Sequence, residues 1–403
     1  MITVEEAEKI ILSNVNDYGS TSLALEKCMG KILREDLVAD RDFPPYDRVT
    51  MDGIAIDYQA YAKGQRIFPV AGVAAAGSPQ QTLEEASTCM EVMTGAIMPK
   101  KADTVIRYED IQIDDGKATI IDEAIVEEAQ NVHYKGEDRK EGEVVVEAGT
   151  RLSAAEIGVA ATMGRVEIAV SNTPRTLIIS SGDELVEIHE KPQAHQIRKS
   201  NVFRLKAHLA QYGIEADKAH LKDDLPQIRE QVKNFLSQYD IIILSGGVSK
   251  GKFDFIPEAL SSLGVEKHFH KIKQRTGKPF WFGKHPTGTI FFALPGNPVS
   301  SFMCMQRYIL PWLAASLGLK ESATVKARLA KDVTFKPDLT YLMQVKTHYD
   351  DNGYLQAVPV EGHGSGDLAN LVDADGFLQL PRGKDDFKAG EVYPVYLYRN
   401  LVF

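Results

Sequence analysis

The chain has 403 residues, a hydrophobic content of 44%, a charged content of 25% and a formal net charge of -10 at pH 7. A chain of this length folds into about two to four domains of roughly 100–200 residues each. The acidic balance argues against a general nucleic-acid binder, which carries a basic excess or a dense basic face, and no stretch approaches the ~20 apolar residues that span a bilayer.

Two amphipathic helices are predicted in the first part of the chain. Thr3 and Glu6 have the spacing of a capping box, and apolar residues follow on one helical face. A second helix of this kind begins after Ser153. Together the two flanks predict an N-terminal helical or mixed domain made of residues 1–42 with 139–173.

The intervening stretch, residues 43–138, is poor in helical periodicity and contains short runs typical of strands. Asp114-Asp115-Gly116 has the composition of a two-residue hairpin turn. We therefore predict an inserted β-rich domain. Its candidate strands are Arg66–Val73, Met90–Thr94 and Thr104–Tyr108.

Residues 174–320 alternate between apolar, β-branched runs and amphipathic helices. A continuous apolar run is typical of a strand that is buried on both faces of a parallel sheet. The alternation predicts a central, doubly wound α/β domain. The predicted strands are Thr176–Ser180, Glu215–Leu221, Asp240–Leu244 and Thr289–Leu294, and the predicted helices follow Ser200, Asp224 and Asn297, the last of them spanning Val299–Leu317.

Polar loops follow each of these four strands. Because the carboxyl ends of parallel strands meet at one edge of a sheet, we expect the loops to line one ligand crevice. After Ser245, Gly246 and Gly247 let the backbone turn and approach a ligand closely, and successive N–H groups there can bind an anion. The loops are Ser181–Glu184, Lys222–Asp224, Ser245–Asp254 and Pro295–Pro298.

The third loop contains part of a phosphate-binding Walker pattern, with Gly246, Gly251 and Lys252 at the right spacing. The next position requires Ser or Thr to bind magnesium, and it is occupied by Phe253. We therefore favour a glycine-rich ligand loop, and a P-loop phosphotransferase is the alternative.

Residues 267–284 carry six basic and no acidic side chains. A solvated strand face accounts for this pattern, as does a site for a phosphate or another oxyanion. The turn Arg275–Lys278 favours the oxyanion site, because we expect it beside the strand-end loops.

Other polar positions allow two interpretations each. Met51-Asp52-Gly53 and Thr94-Gly95 have the composition of tight turns. Asp183, Asp223 and Asp254 follow predicted strands, where a carboxylate can hold a divalent cation or cap the next helix.

Residues 321–403 alternate with period two, which predicts strands with one buried face. Asp351-Asn352-Gly353 has the composition of a hairpin turn. This last region predicts a C-terminal β-barrel domain.

The three cysteines, Cys28, Cys89 and Cys304, are far apart and form no CxxC pair, which argues against a zinc knuckle. We expect reduced and mostly buried thiols, which are typical of a reducing compartment. The first residues lack the basic and apolar regions of a secretory signal. We therefore expect a cytoplasmic protein with no nucleic-acid or membrane partner.

Six short motifs occur together in this chain, in the order and at the distances typical of one family. They are Phe43–Gly53, Met93–Ala96, Ser181–Leu185, Leu244–Ser249, Leu294–Val299 and Gly364–Asp367. On these motifs the chain resembles the MoeA-type molybdopterin molybdenumtransferases, which are also seen in the C-terminal part of gephyrin. The resemblance covers essentially the whole chain, and the combination of motifs is specific although no single motif is.

The resemblance implies four domains and a homodimer whose active site lies between subunits. It implies that molybdate is inserted into adenylylated molybdopterin, with release of AMP and with Mg²⁺ as the cofactor. A molybdopterin adenylyltransferase is a possible partner. Two alternatives on the same fold are an enzyme that itself adenylylates molybdopterin and a non-enzymatic scaffold.

The resemblance also implies roles for individual residues. The implied catalytic residues are Asp52, Thr94, Glu184, Lys271 and Arg275. The implied metal ligands are Asp223 and Asp254. The residues implied to bind the molybdopterin substrate are Ser245, Gly246, Gly247, Ser249, Lys278, Pro295, Gly296, Asn297, Pro298 and Ser365.

Three departures from the family pattern concern the anion site rather than the class of reaction. Arg48-Val49-Thr50 stands where the family has Asn-Ser-x, and Thr276 replaces a proline. Gln344 occupies a position where the resemblance leads us to expect arginine.

Overall fold

The computed structural model describes residues 1–248, 255–320, 324–362, 364 and 366–399. The chain forms two compact units, each treated separately below. The larger unit contains Met1–Arg34, Gly149–Ser153 and Glu167–Phe403, and the smaller contains Glu35–Ala148 and Ala154–Val166. Within the described ranges, no helix combines the length and apolarity needed to cross a bilayer. The finer division into four domains stays a prediction.

The helices and strands have the following bounds. The helices are α1 Val4–Leu12, α2 Tyr58–Ala62, α3 Ala154–Thr162, α4 Asn201–Ala210, α5 Leu225–Phe235, α6 Ile256–Ser262, α7 Pro298–Cys304, α8 Leu310–Ser316 and α9 Asn370–Asp373, with 3-10 turns at Leu25–Lys27 and Tyr108–Asp110 and a π-helical turn at Met305–Ile309. The strands are β1 Ser20–Ala24, β2 Leu37–Val38, β3 Arg48–Val49, β4 Gly53–Ile56, β5 Ile67–Ala74, β6 Cys89–Val92, β7 Thr104–Arg107, β8 Ile111–Asp114, β9 Lys117–Ile120, β10 Val132–His133, β11 Val144–Val146, β12 Glu167–Ser171, β13 Thr176–Ser181, β14 Leu185–Val186, β15 Ile197–Arg198, β16 Ala216–Leu221, β17 Ile241–Ser245, β18 Glu266–His270, β19 Gln274–Arg275, β20 Trp281–Lys284, β21 Ile290–Leu294, β22 Lys326–Leu329, β23 Val333–Thr334, β24 Thr340–Tyr349, β25 Leu355–Pro359, β26 Gly376–Leu380, β27 Asp386–Phe387 and β28 Val392–Leu397.

The smaller unit is built on a six-stranded sheet in the order β7-β4-β6-β5-β9-β8. Successive residues of β4 pack into two different apolar clusters, Ile54 and Ile56 into one and Ala55 into the other. The hairpin predicted between β8 and β9 is confirmed, with Asp115 and Gly116 both at positive φ. The prediction of a β-rich inserted region is therefore confirmed.

The central sheet of the larger unit has the strand order β16-β13-β17-β21-β20-β18. The first four strands are parallel, and β20 is antiparallel to both of its neighbours. The chain runs from β13 to β16 on one side and then to β17 on the other side of β13. This reversal of direction creates a crevice between the carboxyl ends of β13 and β17, where doubly wound sheets bind ligands.

Both faces of this sheet are covered, as the apolar composition of its strands predicts. Ile241 and Ile243 pack into the cluster that contains α4 and α7 side chains, whereas Ile242 and Leu244 pack against α5 and α6. All four residues are at most 2% exposed. Their alternation confirms the doubly wound α/β prediction.

The helix predicted over Val299–Leu317 is interrupted, which corrects that prediction. A π-helical turn separates α7 from α8, and Leu310 donates its N–H to Met305 O, five residues earlier. Pro311, in the first turn of α8, has no N–H with which to continue an α-helical ladder. Apolar periodicity alone does not reveal such a local change of helix type.

The C-terminal strands close into a barrel. β24 pairs with both β25 and β26, and the circuit is completed by β25 with β22, β22 with β28 and β28 with β26. The predicted turn at Asp351-Asn352-Gly353 lies between β24 and β25, with Gly353 at φ 77. The barrel prediction is confirmed, as is the prediction of buried, reduced thiols at Cys28, Cys89 and Cys304.

The predicted role of Asp224 as the N-cap of α5 can be tested by mutation. Asp224 accepts a hydrogen bond from the Gln227 amide at 2.9 Å. We expect Asp224→Ala to destabilise the first turn of α5 by about 1 kcal/mol and to accelerate hydrogen exchange of the Gln227 amide. Asp224→Asn keeps an acceptor oxygen and should exchange like the wild type. Equal protection of Gln227 in both variants would contradict this role.

Candidate functional site

A cavity of about 450 Å³ in the larger unit lies at the carboxyl edge of the central sheet. All four predicted strand-end loops contribute to its wall, together with the start of α4. The predicted site residues that line it are Glu184, Asp223, Ser245, Gly246, Gly247, Gly296, Asn297 and Pro298. The strand topology thus gathers residues that are separated by more than a hundred positions in sequence.

Two glycines allow the ends of β13 and β17 to approach each other. A Cβ on Gly246, at φ 106, would lie 2.6 Å from the Ser181 carbonyl oxygen, and a Cβ on Gly247, at φ 69, would lie 2.6 Å from Ile256 Cγ1. Any larger residue would require the backbone or Ile256 to move. The loop is therefore shaped by its glycines to fit beside the first loop.

Acidic side chains form one wall of the cavity. Ser181 Oγ donates to Asp223 Oδ1 at 3.2 Å, and the Asp223 amide donates to Asp183 Oδ1 at 3.3 Å. Glu184 lines the same wall. These bonds link the loops after β13 and β16 and leave carboxylate oxygens at the cavity.

The acidic wall fits one mode of magnesium binding. In the described part of the chain, no group of three or more His, Cys, Asp or Glu side chains converges to hold a metal ion. Mg²⁺ is usually bound by one or two carboxylates together with substrate phosphates and waters. Asp223 and Glu184 match that donor set, whereas an all-protein cage is not formed by the described residues.

The opposite wall contains a polar network that the sequence interpretation missed. Asn201, the first residue of α4, donates from Nδ2 to Ser245 Oγ at 2.8 Å and to Gly296 O at 2.7 Å. Arg204, one turn later, donates to Asn201 Oδ1 and to Pro298 O, both at 2.8 Å. The available signal was a pair of polar residues with spacing i, i+3 at the start of the predicted helix. The predicted cap itself, Ser200, makes no side-chain hydrogen bond to that turn in the described structure.

Burial lowers the pKa of Arg204 to about 10. Among the described residues no carboxylate forms an ion pair with its guanidinium, which instead lies 5.4 Å from the centre of the Phe302 ring. Lys199 is a second buried cation at this cavity, but its Nζ pairs with Glu187 at 2.5 Å. Arg204 is therefore a cation behind the cavity wall without an acidic partner there.

The register of the β18–β20 hairpin divides the basic stretch of residues 267–284 between two ends of the sheet. Lys284 lies opposite Glu266 at one end of the hairpin, near Lys267, and donates to Asn16 Oδ1 at 2.8 Å. Lys271 and Lys278 lie at the other end, on the same edge of the sheet as the cavity. Only the second group can face a ligand at the strand ends.

Arg275 and Gln344 line a second, smaller cavity of about 70 Å³. Arg275 belongs to β19, which pairs with β24 of the barrel. Gln344 Nε2 is buried and has no hydrogen-bond partner among the described residues. The start of α7 contributes to both cavities, Pro298 to the larger and Val299 to the smaller.

Asp52 and Thr94 lie together in the smaller unit. Asp52 Oδ1 accepts from the Thr94 amide at 2.6 Å and from Thr94 Oγ1 at 2.7 Å. These two bonds lower the pKa of Asp52 below its ordinary value of 3.8, because they stabilise the carboxylate form. The two turns that the sequence left ambiguous thus form one exposed carboxylate site.

Three predicted site residues, Ser249, Asp254 and Ser365, lie outside the described residues. So do Gly251, Lys252 and Phe253, on which the comparison with a Walker loop rests.

Comparisons with known proteins agree with this architecture. Family models match three regions: the MoeA N-terminal region (domain I and II) over residues 2–164, a probable molybdopterin binding domain over 177–315, and the MoeA C-terminal region (domain IV) over 326–398. The molybdopterin biosynthesis MoeA protein of Pyrococcus horikoshii has a similar structure, with a TM-score of 0.81 and 27% identity over 99% of this chain and 100% of that chain.

Two curated relatives carry the name molybdopterin molybdenumtransferase. The relative from Synechocystis is 40% identical over 400 residues, which are 99% of this chain and 100% of the relative. The relative from Staphylococcus epidermidis is 31% identical over 409 residues, which are 100% of this chain and 97% of the relative. These full-length matches show that the chain belongs to the MoeA family of molybdopterin molybdenumtransferases.

Proposed function

We propose that this protein inserts molybdate into adenylylated molybdopterin, with release of AMP and in a Mg²⁺-dependent reaction. As a family member it is an enzyme of molybdenum cofactor biosynthesis. The observation that supports the Mg²⁺-dependent insertion of molybdate is the cavity at the carboxyl edge of the sheet, where an acidic wall faces a glycine-rich loop and the start of a helix. Carboxylates can hold a cation, and backbone N–H groups can bind phosphate oxygens.

The glycine-rich loop and the Pro295–Pro298 loop would bind the terminal phosphate of the pterin. Gly246 and Gly247 line the cavity. The Gly246 N–H donates to Leu294 O at 3.1 Å, so the Gly247 N–H is the one that would bind a phosphate oxygen. Asn297 precedes the first turn of α7. Lys278 is exposed at the same edge of the sheet. These groups supply donors and positive charge for an anionic ligand.

Asp223 and Glu184 would hold Mg²⁺, which supplies charge neutralisation at the phosphoanhydride when bound. Asp254, which lies outside the described residues, would be a further ligand, as the family resemblance implies. Because the substrate phosphates and molybdate are both anions, bringing them together costs Coulomb energy that cations offset.

Molybdate would bind near the smaller cavity. Arg275 offers a guanidinium there, and Gln344 offers an amide donor that has no protein partner among the described residues. Lys271, which follows the carboxyl end of β18, adds positive charge at the same edge. A tetrahedral dianion accepts hydrogen bonds from such donors on several sides.

We further propose that the enzyme acts as a cytoplasmic homodimer with an active site between subunits, as the family resemblance implies. Asp52 would contribute a carboxylate to that site, held in position by two hydrogen bonds from Thr94. Ser365, which lies outside the described residues, would also belong to that site, as the family resemblance implies.

The reaction itself is tested with purified protein, adenylylated molybdopterin, molybdate and Mg²⁺. We expect AMP to be released in proportion to molybdenum cofactor formed, and neither product to appear without molybdate. Consumption of ATP by the protein with unmodified molybdopterin, in the absence of molybdate, would instead indicate an adenylyltransferase. Full complementation of molybdoenzyme activity by a variant without AMP release would contradict the proposal.

Asp223 and Asp224 form a matched pair for testing the metal site, because one lines the cavity and the other caps α5. We expect Asp223→Asn to raise the Mg²⁺ concentration needed for half-maximal turnover at least about tenfold, since a charged ligand is lost. Asp224→Asn should leave this concentration unchanged. The same Mg²⁺ dependence in both variants would remove Asp223 from the metal site.

The hydrogen bonds of Thr94 predict a graded change in the pKa of Asp52. Thr94→Val removes the hydroxyl bond and keeps the amide bond, so the pKa should rise toward its ordinary value of 3.8. Thr94→Ser keeps both bonds and should keep the lowered pKa. The check is a carboxyl carbon NMR titration, and an equal pKa in all three proteins would contradict the assignment.

A further inference from the structure

We propose that Arg204 is a positioning residue that acts through Asn201 to make the Ser245 hydroxyl a hydrogen-bond donor toward the cavity. The oriented hydroxyl then selects an anionic phosphoryl oxygen of the ligand. The inference rests on the proposed function for the identity of the ligand. It concerns Arg204, which lies behind the cavity wall, and Asn201 and Ser245, which line the cavity.

The orientation of the Asn201 amide follows from its neighbours. A guanidinium can only donate hydrogen bonds, so the amide atom that faces Arg204 at 2.8 Å must be the oxygen. A backbone carbonyl can only accept, so the atom that faces Gly296 O at 2.7 Å must be the nitrogen. Both neighbours therefore require the same orientation of the amide. A flipped amide would place its NH₂ group against the guanidinium of Arg204 and its oxygen against Gly296 O.

This orientation fixes the hydroxyl of Ser245. The second hydrogen of Asn201 Nδ2 points to Ser245 Oγ at 2.8 Å, so the hydroxyl oxygen is an acceptor in that bond. No other protein partner of the Ser245 side chain occurs in the described ranges, and the residue is 3% exposed and lines the cavity. The hydroxyl hydrogen is therefore left to donate into the cavity.

Arg204 also adds a positive charge to this relay, which is the chain of hydrogen bonds from Arg204 through Asn201 to Ser245. Its guanidinium has no acidic partner among the residues described, and it is held by Asn201 Oδ1, Pro298 O and, at 3.3 Å, Ser301 Oγ. These acceptors belong to α4 and to the start of α7, so the cation is anchored between the two elements that border the cavity. A buried charge without a counter-ion favours an anion nearby, because little water screens it.

The chemistry of the ligand group follows from the two effects together. A donor hydroxyl beside a buried cation favours an acceptor oxygen with negative charge, and it disfavours an amino group, which would bring a second donor. Phosphoryl oxygens of the proposed substrate meet both conditions.

A double-mutant cycle tests whether Arg204 acts through Ser245. Binding of molybdopterin is measured by anaerobic titration calorimetry without molybdate or Mg²⁺, so that turnover is not required. We expect Arg204→Met and Ser245→Ala each to weaken binding about tenfold, as expected for a lost hydrogen bond to a charged group. The double variant should bind no more than about threefold more weakly than either single variant.

Three further variants separate positioning from a general effect on structure. Arg204→Lys keeps the positive charge and the ability to donate hydrogen bonds, and it should restore affinity to within about threefold of the wild type. Asn201→Ala breaks the relay while leaving the arginine in place, and it should also be non-additive with Ser245→Ala. Arg175→Met removes an arginine at the opposite end of β13, where Arg175 pairs with Asp240, and should leave affinity unchanged. Thermal unfolding shows whether each variant is folded, and the Asn201 cycle decides the inference if Arg204→Met does not fold.

The outcomes distinguish this inference from the proposed function. Additive losses in the cycles, or no binding of molybdopterin by the wild-type protein, would overturn the inference. Non-additive losses together with an absence of molybdate-dependent AMP release would support the inference and contradict the proposed reaction.

Discussion

The close approach of β13 and β17 at the reversal of strand order is the constraint on which the rest of the site depends. Their carboxyl ends meet only because Gly246 and Gly247 lack side chains where Ser181 O and Ile256 approach. The two apolar layers on either side of the sheet hold both strands in place. The consequence is a crevice lined by the strand-end loops, whose polar side chains lie outside the two apolar clusters.

The two walls of this crevice have complementary chemistry. Carboxylates of Asp223 and Glu184 lie on the side of β13 and β16, where they can share a cation with a phosphoanhydride. Donors lie on the side of β17 and α7, backed by the buried guanidinium of Arg204. Such a division suits a ligand with several anionic groups, because each group meets either a cation or fixed hydrogen-bond donors without reorganisation of the protein.

The sequence predicted the parts of the structure that depend on local patterns. The four parallel strands, their polar loops and the hairpin at Asp115 follow from apolar runs and turn residues, which act over a few positions. The role of Arg204 was missed because its importance lies in burial and in the lack of an acidic partner, and both are tertiary properties. Lys284 was grouped with Lys271 because sequence proximity does not show that a hairpin carries them to opposite ends of the sheet.

Determining a crystal structure of the protein with adenylylated molybdopterin bound tests the shared crevice most directly. We predict ligand density between the ends of β13 and β17, with phosphate oxygens within hydrogen-bond distance of the Ser245 hydroxyl and the Gly247 amide. Density confined to the opposite end of the sheet, for example in the cavity around Tyr239 and Asp240, would contradict a ligand site built from the strand-end loops.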